Sequence, residues 1–433
     1  MFRLRPRFSP IWKHRDFRRL WLGETISEIG SSLSHFALPI VAAVTLDVNS
    51  AQMGLIRGLG AVPSLFIGLI AGAWADRVSR RRLLILINLL AAVLIGSVPV
   101  AYAFGTLSLG HLYALSLGFG LLGPFWWPAW NALLPSVVEP DLLVEANSKL
   151  MLTFSSTGIT GPGLGALLVA IMAAPLVLLV DAATFVVTAL FVAGVRTRTS
   201  ERPVERPTTK IRAEIVEGLR VTFLDPMQRA ITIPRAILDL LDAISATVIV
   251  LYILRVVELS PELMGLAFAL SSVGFVVGSL VAPRIERRLD VGGMITLGLL
   301  MVAVSPYTMV IADDSLPSWV NVLFFAIPGF IGGSGGIIQH VGLMTLRQSL
   351  TPERLLGRVA ASAGVLGDVM WLLGAAIGGV LGQTFGLRPA VIVASVGYAI
   401  PFLLVLSSPL RRASRGMRVP TEEVATPFPD TEA

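Results

Sequence analysis

Long apolar stretches alternate with short polar segments along most of this chain. Each stretch has at least about 18 residues with few charges, enough to cross roughly 30 Å of hydrocarbon as a helix. Backbone groups in lipid need partners within the span, which favours helices over strands. We therefore predict an all-α membrane protein with twelve transmembrane helices. The predicted spans are 20–46, 53–75, 83–105, 110–134, 148–170, 175–195, 231–254, 262–282, 291–312, 318–345, 356–382 and 388–409.

Two segments depart from this alternation. Residues 196–230 are polar, rich in Arg, Glu, Pro and Thr, and separate six spans from six. Within them, 213–224 have apolar residues at helical spacing, which predicts an amphipathic helix on the membrane surface. The predicted domains are two six-helix bundles with a linker between them and a polar tail. Their bounds are 1–195, 196–230, 231–410 and 411–433.

The composition agrees with a protein that lies mainly in lipid. The 433 residues are 54% hydrophobic and 14% charged, with a mean hydropathy of +0.78. A water-soluble protein could not cover so much apolar surface with so few charges. The absence of cysteine excludes disulfides and thiolate metal sites.

The distribution of Lys and Arg predicts the orientation. Segments that the twelve spans place on one side, with both termini, hold 30 of the 34 basic residues. Basic residues accumulate on the cytoplasmic side of membrane proteins. We therefore expect both termini in the cytoplasm and a location in a bacterial-type inner (plasma) membrane.

The two halves repeat short motifs in the same order, as many transporters do. Residues 72–84 align with 278–290, so that Gly72 matches Gly278 and Ala282 stands where the first copy has Asp76. Two further pairs of segments align in the same way, 140–144 with 352–356 and 161–168 with 374–381. The repeats predict two pseudo-symmetric bundles.

The loop between spans two and three carries a family signature. It reads Gly-x-x-x-Asp-Arg-x-Gly-Arg-Arg, with Ser79 in place of the second glycine, and is matched here by Gly72, Asp76, Arg77, Arg80 and Arg81. With this signature the chain resembles the major facilitator superfamily of secondary transporters over nearly its whole length. The resemblance implies alternating access and a monomeric protein. It also implies a gating loop in which Asp76 contacts the start of span eleven, near 356–360.

Two stretches are similar to one branch of that superfamily, the drug and siderophore exporters related to the enterobactin exporter and the macrolide efflux pumps. They are 16–30 and 142–148. Gly161-Pro162-x-x-Gly165 resembles the antiporter motif of span five, although Thr157 replaces an earlier glycine. Small residues allow close helix contact and Pro frees a carbonyl, so a helix-bending role is expected.

Acids within the spans are candidates for proton coupling, because ionisable groups in hydrocarbon are unfavourable and commonly functional. Burial and a neighbouring carboxylate favour the protonated acid, which suits a site that binds and releases protons. We predict a coupling and cation-binding centre from Asp239 and Asp242, which share a face of span seven, together with Glu28. Asp368 on span eleven is a further candidate for the substrate cavity. Structural pairing of each Asp with Arg235 or a backbone amide remains the alternative.

Three more ionisable residues have weaker assignments. Glu24 shares a face with Glu28 and lies either in the cavity or at headgroup level. Asp181 is expected to be structural, since span six is usually peripheral in the superfamily. Arg57 either pairs with Asp47 as an external latch or extends outward to the membrane surface.

Aromatic residues at the end of span four have two interpretations. Trp126 and Trp127, followed by Asn131, either form a cavity wall for a flat or amphipathic substrate or anchor the helix at the interface.

No nucleotide-binding loop, zinc motif or hydrolase elbow is present, so neither an enzyme nor a cofactor is expected. The expected partners are a small-molecule substrate, protons and the lipid bilayer, without nucleic acid. The leading prediction is proton-coupled efflux of small amphipathic compounds or drugs. The alternatives are a siderophore or metal-complex exporter and, from another class, a non-transporting receptor or scaffold.

Overall fold

The computed structural model describes residues 10–67, 79–139, 142–195 and 211–412. The described residues are helical almost throughout and contain no β-strand. The first bundle contains α1 (Arg15–Ile40), α2 (Ser50–Leu59), α3 (Arg80–Ala103), α4 (Leu109–Val137), α5 (Leu143–Ile171) and α6 (Ala174–Ala193). α7 (Ile211–Leu224) precedes the second bundle. The second bundle contains α8 (Pro226–Arg255), α9 (Pro261–Val304), α10 (Ser318–Leu350), α11 (Glu353–Thr384), α12 (Leu387–Gly397) and α13 (Ala399–Leu406).

These helices account for the twelve predicted spans. Eight helical stretches of the described residues are long and apolar enough to cross a membrane, and one of them, Pro261–Ile311, holds two spans. The two are separated at Asp290, where φ is 57° and the helix breaks. The second span continues after a turn to residue 67, and α12 and α13 together form the twelfth. The prediction of an all-α protein with twelve helices in two bundles is confirmed.

Several helices begin before the apolar stretch that predicted them, because capping groups and not hydropathy decide where a helix starts. Asn49 and Gln52 form a capping box before α2, each side chain accepting from the other's backbone N–H at 2.9 Å. Asp225 caps α8 by accepting from the N–H groups of Met227 and Gln228 at 2.9 and 2.7 Å.

α7 covers the segment in which an amphipathic helix is predicted and packs on the second bundle. Glu217 forms an ion pair with Arg358 near the start of α11. The helices approach closely at Gly218, where a Cβ would lie 2.8 Å from the carbonyl oxygen of Arg358. Leu219 and Leu224 remain exposed. The start of α11 is therefore held by α7.

We call the end of the bundles that carries the starts of α1, α3 and α8 the basic face, and the other end the opposite face. The halves meet through α5 with α9 and through α2 with α11. At Gly54 the helices are so close that a Cβ would lie 3.1 Å from the Cα of Gly379. Arg255 donates to Asp47 at 2.6 Å across the same junction. These contacts hold the halves together toward the opposite face.

Candidate functional site

A cavity of about 510 Å³, the N-terminal cavity, lies among α1, α2, α3, α4 and α6, with one residue from the second bundle. Its lining residues recur every three or four positions along each helix, so each helix contributes one face. On α1 these residues are Glu24, Ser27, Glu28, Ser31, Ser34, His35, Leu38 and Pro39, and Ala42 lies in the helical turn Val41–Thr45 that follows. By a rise of 1.5 Å per residue, Glu24 lies about 14 Å along the axis from Arg15.

Three carboxyl groups face this cavity: Glu24, Glu28 and Asp181. Glu24 is 3% exposed and Asp181 is 1% exposed. The Ser34 hydroxyl donates to Asp181, and Thr184 Oγ1 donates to its Oδ1 at 3.2 Å. Of the two positions predicted for Glu24, the structure shows the one in the cavity wall. Asp181 also lies beside the cavity, although sequence reasoning expected its helix to be peripheral.

Two basic residues, His35 and Arg57, line the same cavity nearer the opposite face. Arg57 therefore points inward and does not form the predicted latch with Asp47. Asp47 pairs with Arg255 of the second bundle, because the loop after α1 lies against the end of α8. Sequence reasoning missed Arg255, whose only signal was that it is one of few basic residues at the opposite face.

The remaining wall is mainly apolar and aromatic. Trp126 lines the cavity and stacks on Trp130, with ring centroids 6.2 Å apart and planes 7° from parallel. Phe119 and Phe185 contribute two more rings, 6.4 Å apart. Trp371 of α11 closes one side from the other half. The side chains of Trp127 and Asn131, predicted to share this wall, lie outside the described residues.

A second cavity of about 340 Å³, the C-terminal cavity, is lined by one face each of α8, α10 and α11. The three faces repeat the helical spacing of three and four residues. They consist of Thr232, Arg235, Ala236 and Asp239 on α8, then His340, Leu343, Met344 and Arg347 on α10, and Ala360, Ala363, Gly364, Gly367, Asp368 and Trp371 on α11. Trp371 lines both cavities and thus lies between them.

The predicted coupling residues occupy three places. Asp239 forms an ion pair with Arg235 in the C-terminal cavity, as the alternative interpretation expected. Asp368 lies in the same cavity and accepts from Ser64 of the second span at 2.8 Å. Asp242 accepts from the Tyr398 hydroxyl at 2.7 Å and does not line the cavity that contains Asp239.

Glu28 lies in the other cavity, so the structure does not assemble Glu28, Asp239 and Asp242 into one centre. Helical spacing alone places residues on a face but does not tell which neighbour that face meets. Sequence reasoning also missed His340 and Arg347, seven residues apart on α10. The signal was available in the sequence. The four lining positions on α10 have the same i, i+3, i+4, i+7 spacing as the four on α8, and His340 and Arg347 are the first and last of them.

The signature loop is described only at its end, since Gly72, Asp76 and Arg77 lie outside the described residues. Arg80 is the first residue of α3. Arg81 donates from Nε to the carbonyl of Val192 at 3.3 Å and from Nη2 to that of Ala193. A guanidinium at the negative end of α6 stabilises that helix terminus.

The predicted bending motif of α5 allows close contact with α1. A Cβ at Gly165 would lie 2.8 Å from Cδ1 of Phe36, and one at Gly161 would lie 2.5 Å from Oγ of Ser32. Pro162 lies within the helix between them. Between these two glycines, a Cβ at Gly163 would contact the Cβ of Ala269 of the other half at 3.4 Å. The motif therefore lies beside the junction of the two halves.

Within the part of the chain that the structure describes, no group of three or more His, Asp or Glu side chains is arranged to hold a metal ion. The two cavities combine apolar walls with a few charged groups, which is typical of small-molecule sites.

Comparison with known proteins agrees with this architecture. A multidrug efflux pump, Tap of Mycolicibacterium fortuitum, is 29% identical over 375 residues, 82% of this chain and 86% of the pump. The enterobactin exporter EntS of Salmonella typhi is 26% identical over 401 residues, 91% of this chain and 92% of the exporter. The crystal structure of a bacterial homologue of the iron transporter ferroportin, in its inward-facing state, superposes with a TM-score of 0.73. It is 19% identical and the match covers 90% of this chain and 98% of that one.

The sequence model of the Major Facilitator Superfamily matches residues 20–375, which include both cavities up to Trp371 and all the predicted site residues. The chain is a multi-pass membrane transporter and not an enzyme, and it belongs to the Major Facilitator Superfamily.

Proposed function

We propose that this protein exports small amphipathic cations in exchange for protons. The observation that supports the proposal is the convergence of Glu24, Glu28 and Asp181 in one largely apolar cavity of about 510 Å³. Arg57 supplies a single guanidinium against these three acids. The cavity therefore favours a positive ligand, and its aromatic wall suits a flat apolar body.

The same acids explain how cation and proton exchange. A buried carboxylate without a counter-charge is unfavourable, so it takes up either a proton or a cationic group. A carboxyl group that has bound a proton no longer attracts the cation, and the bound cation opposes protonation. Glu28 is the best placed for this exchange, since it is only half-buried and lies one turn from Glu24. Asp239, Asp242 and Asp368 are proposed as coupling groups in the second half.

Alternating access is proposed to proceed by rocking of the two bundles. Contacts of Asp47 with Arg255 and of Gly54 with Gly379 support a state that is closed toward the opposite face. We propose that the basic face is cytoplasmic and that the protein is a monomer in the inner membrane. The loop with Asp76 would close the basic face in the other state.

The proposal is tested with purified protein in liposomes that have an acidic interior. Protein molecules whose basic face is on the outside should take up cations into the lumen in exchange for luminal protons. Tetraphenylphosphonium and ethidium should accumulate above the level in protein-free liposomes. Nigericin, which collapses the pH gradient, should abolish the accumulation. Uptake that is unaffected by nigericin would refute proton coupling, and no uptake of any cation in a broad panel would refute cation export.

A siderophore or metal complex is a second candidate substrate, because the chain is similar to an enterobactin exporter along 91% of its length. The same liposomes distinguish it. Uptake of a ferric catecholate complex without uptake of the two cations would replace the first candidate with the second.

A further inference from the structure

The C-terminal cavity holds basic groups that are not used by the proposed cation exchange. His340 and Arg347 project from one face of α10, and Arg235 projects toward them from α8. The three groups come from two helices and line a single cavity of about 340 Å³, large enough for a small organic ligand.

Arg347 lacks the partners that a guanidinium in such a place usually has. Its Nε is buried and has no hydrogen-bond partner among the described residues. Its Nη2 contacts Thr232 Oγ1 at 3.5 Å, a long and weak hydrogen bond. Among the described side chains, no carboxylate forms an ion pair with it. A buried donor without an acceptor is unfavourable, so the site favours a ligand that supplies one.

The acids of this cavity have partners other than Arg347 and His340. Asp239 pairs with Arg235, its neighbour one turn earlier on α8. Asp368 contacts Ser64 of the other half. Among the described side chains of this cavity, Arg347 and His340 are therefore the basic groups without an ion-pair partner.

We propose that the C-terminal cavity contains an oxyanion-binding site, in which Arg347 binds a carboxylate or phosphate group and His340 donates a further hydrogen bond. A planar guanidinium with adjacent N–H donors matches the two oxygens of such a group. Met344 and Trp371 give the site an apolar side for the body of an amphiphile.

The ligand is the anionic group of a soluble amphiphile or the phosphate of a lipid headgroup. Apart from Trp371, the residues that line this cavity differ from those that line the N-terminal cavity. It does not depend on the proposed function, since anion binding at equilibrium requires neither transport nor a pH gradient.

The test is equilibrium binding of radiolabelled benzoate to the full-length protein in phosphatidylcholine nanodiscs. Wild-type protein should bind benzoate saturably, and inorganic phosphate should compete. Arg347→Gln should weaken binding by about tenfold or more, as expected for a hydrogen-bonded charge. Arg284→Gln is the matched control, because Arg284 is on α9 and, among the described residues, bonds only the carbonyl of Leu280 in its own helix, at 3.1 Å.

A second variant and a stability measurement distinguish lost binding from a folding defect. His340→Asn should weaken benzoate binding as well, and thermal unfolding in the same nanodiscs checks that each variant is folded. No saturable binding of benzoate to wild-type protein, or equal affinity in folded Arg347→Gln, would overturn the proposal.

Nanodiscs with phosphatidylglycerol distinguish the two sources of the oxyanion. Benzoate that is displaced by phosphatidylglycerol identifies a lipid headgroup as the occupant. Unchanged benzoate affinity identifies a soluble anion. Both results support the site, provided that Arg347→Gln weakens binding in phosphatidylcholine.

Discussion

Ser64 on the second span and Asp368 on the eleventh are joined by a hydrogen bond of 2.8 Å that links the two halves of the protein. Ser64 Oγ also lies 2.8 Å from the carbonyl oxygen of Ala61. A hydroxyl has one proton to donate. When Asp368 is ionised, the Ser64 hydroxyl therefore donates to its carboxylate. When Asp368 is protonated, its carboxyl group donates to Ser64 Oγ, and the Ser64 hydroxyl donates to the carbonyl of Ala61. The link persists in both protonation states.

Removal of this hydroxyl should weaken the state that is closed toward the opposite face. Ser64→Ala loses a bond of about 0.5–1.5 kcal/mol, which shifts the conformational equilibrium about two- to tenfold. The chain has no cysteine, so spin labels at Phe104→Cys and Asp314→Cys report the distance across the opposite face. In Ser64→Ala, double electron–electron resonance should show a larger fraction of molecules with a long distance between the two labels than in wild-type protein.

Ser97→Ala is the control, since Ser97 bonds Leu94 and His111 within one half. Equal distance distributions in Ser64→Ala and in this control would contradict a role of Ser64 in closure.

The ion pair of Asp47 and Arg255 should also stabilise the state that is closed toward the opposite face, although this pair is exposed. Asp47 has a positive φ of 49°, which asparagine tolerates, so Asp47→Asn removes the charge without new backbone strain. Exposed pairs contribute about 0.2–1 kcal/mol, so the open population should rise at most about fivefold. High salt should reproduce the change in wild-type protein.

The same pair of spin labels measures this effect. Glu262→Gln removes an acid from the same face and should leave the distribution unchanged. A distribution in Asp47→Asn that matches wild type at low salt would show that the pair does not stabilise closure.

Arg81 should contribute to stability through the end of α6. Arg81→Gln loses a cation at the negative end of a helix, an interaction of about 0.3–1 kcal/mol. We expect Tm to fall by about 2 °C. Arg82→Gln, at an exposed neighbouring position, should leave Tm unchanged. Equal Tm values for the two variants would show that Arg81 does not stabilise α6.

Asp313 gives a pH-dependent contribution to stability at the opposite face. Its ion pair with Arg388 holds the pKa of Asp313 well below its usual range. A lowered pKa in the folded state stabilises the fold above the unfolded-state pKa, which is about 3.9, and this stability is lost as pH falls through the folded-state pKa. Asp313→Asn should thus lower Tm at pH 7, with a difference from wild type that narrows below about pH 4. A constant difference over that range would contradict the linkage.

The sequence predicts the number and order of the spans because hydrocarbon thickness sets a minimum apolar length. It also predicts faces, as Glu24 and Glu28 show, because helical periodicity is local. It does not predict which faces meet. Asp239 and Asp242 are three residues apart, yet one contacts Arg235 and the other Tyr398, since packing with distant helices decides each partner.

Charge near a span end is similarly ambiguous in the sequence. Arg347 counts as a topological signal by position, but it lines a cavity to which α8 and α11 also contribute. Asp181 appears on a helix that is expected to be peripheral, and its contact with Ser34 shows that α6 packs directly on α1. Contacts between residues more than a hundred positions apart are outside the reach of local patterns.

The most direct test of the exchange mechanism is proton movement driven by a cation gradient in liposomes that contain a pH-sensitive dye. With wild-type protein, inward flow of tetraphenylphosphonium should make the lumen more alkaline, because protons leave in exchange. Glu28→Gln should reduce this change to less than about a tenth, while the control Glu262→Gln should keep it. Cation flow through wild-type protein without a change in luminal pH, or a wild-type response from Glu28→Gln, would contradict carboxylate-mediated exchange.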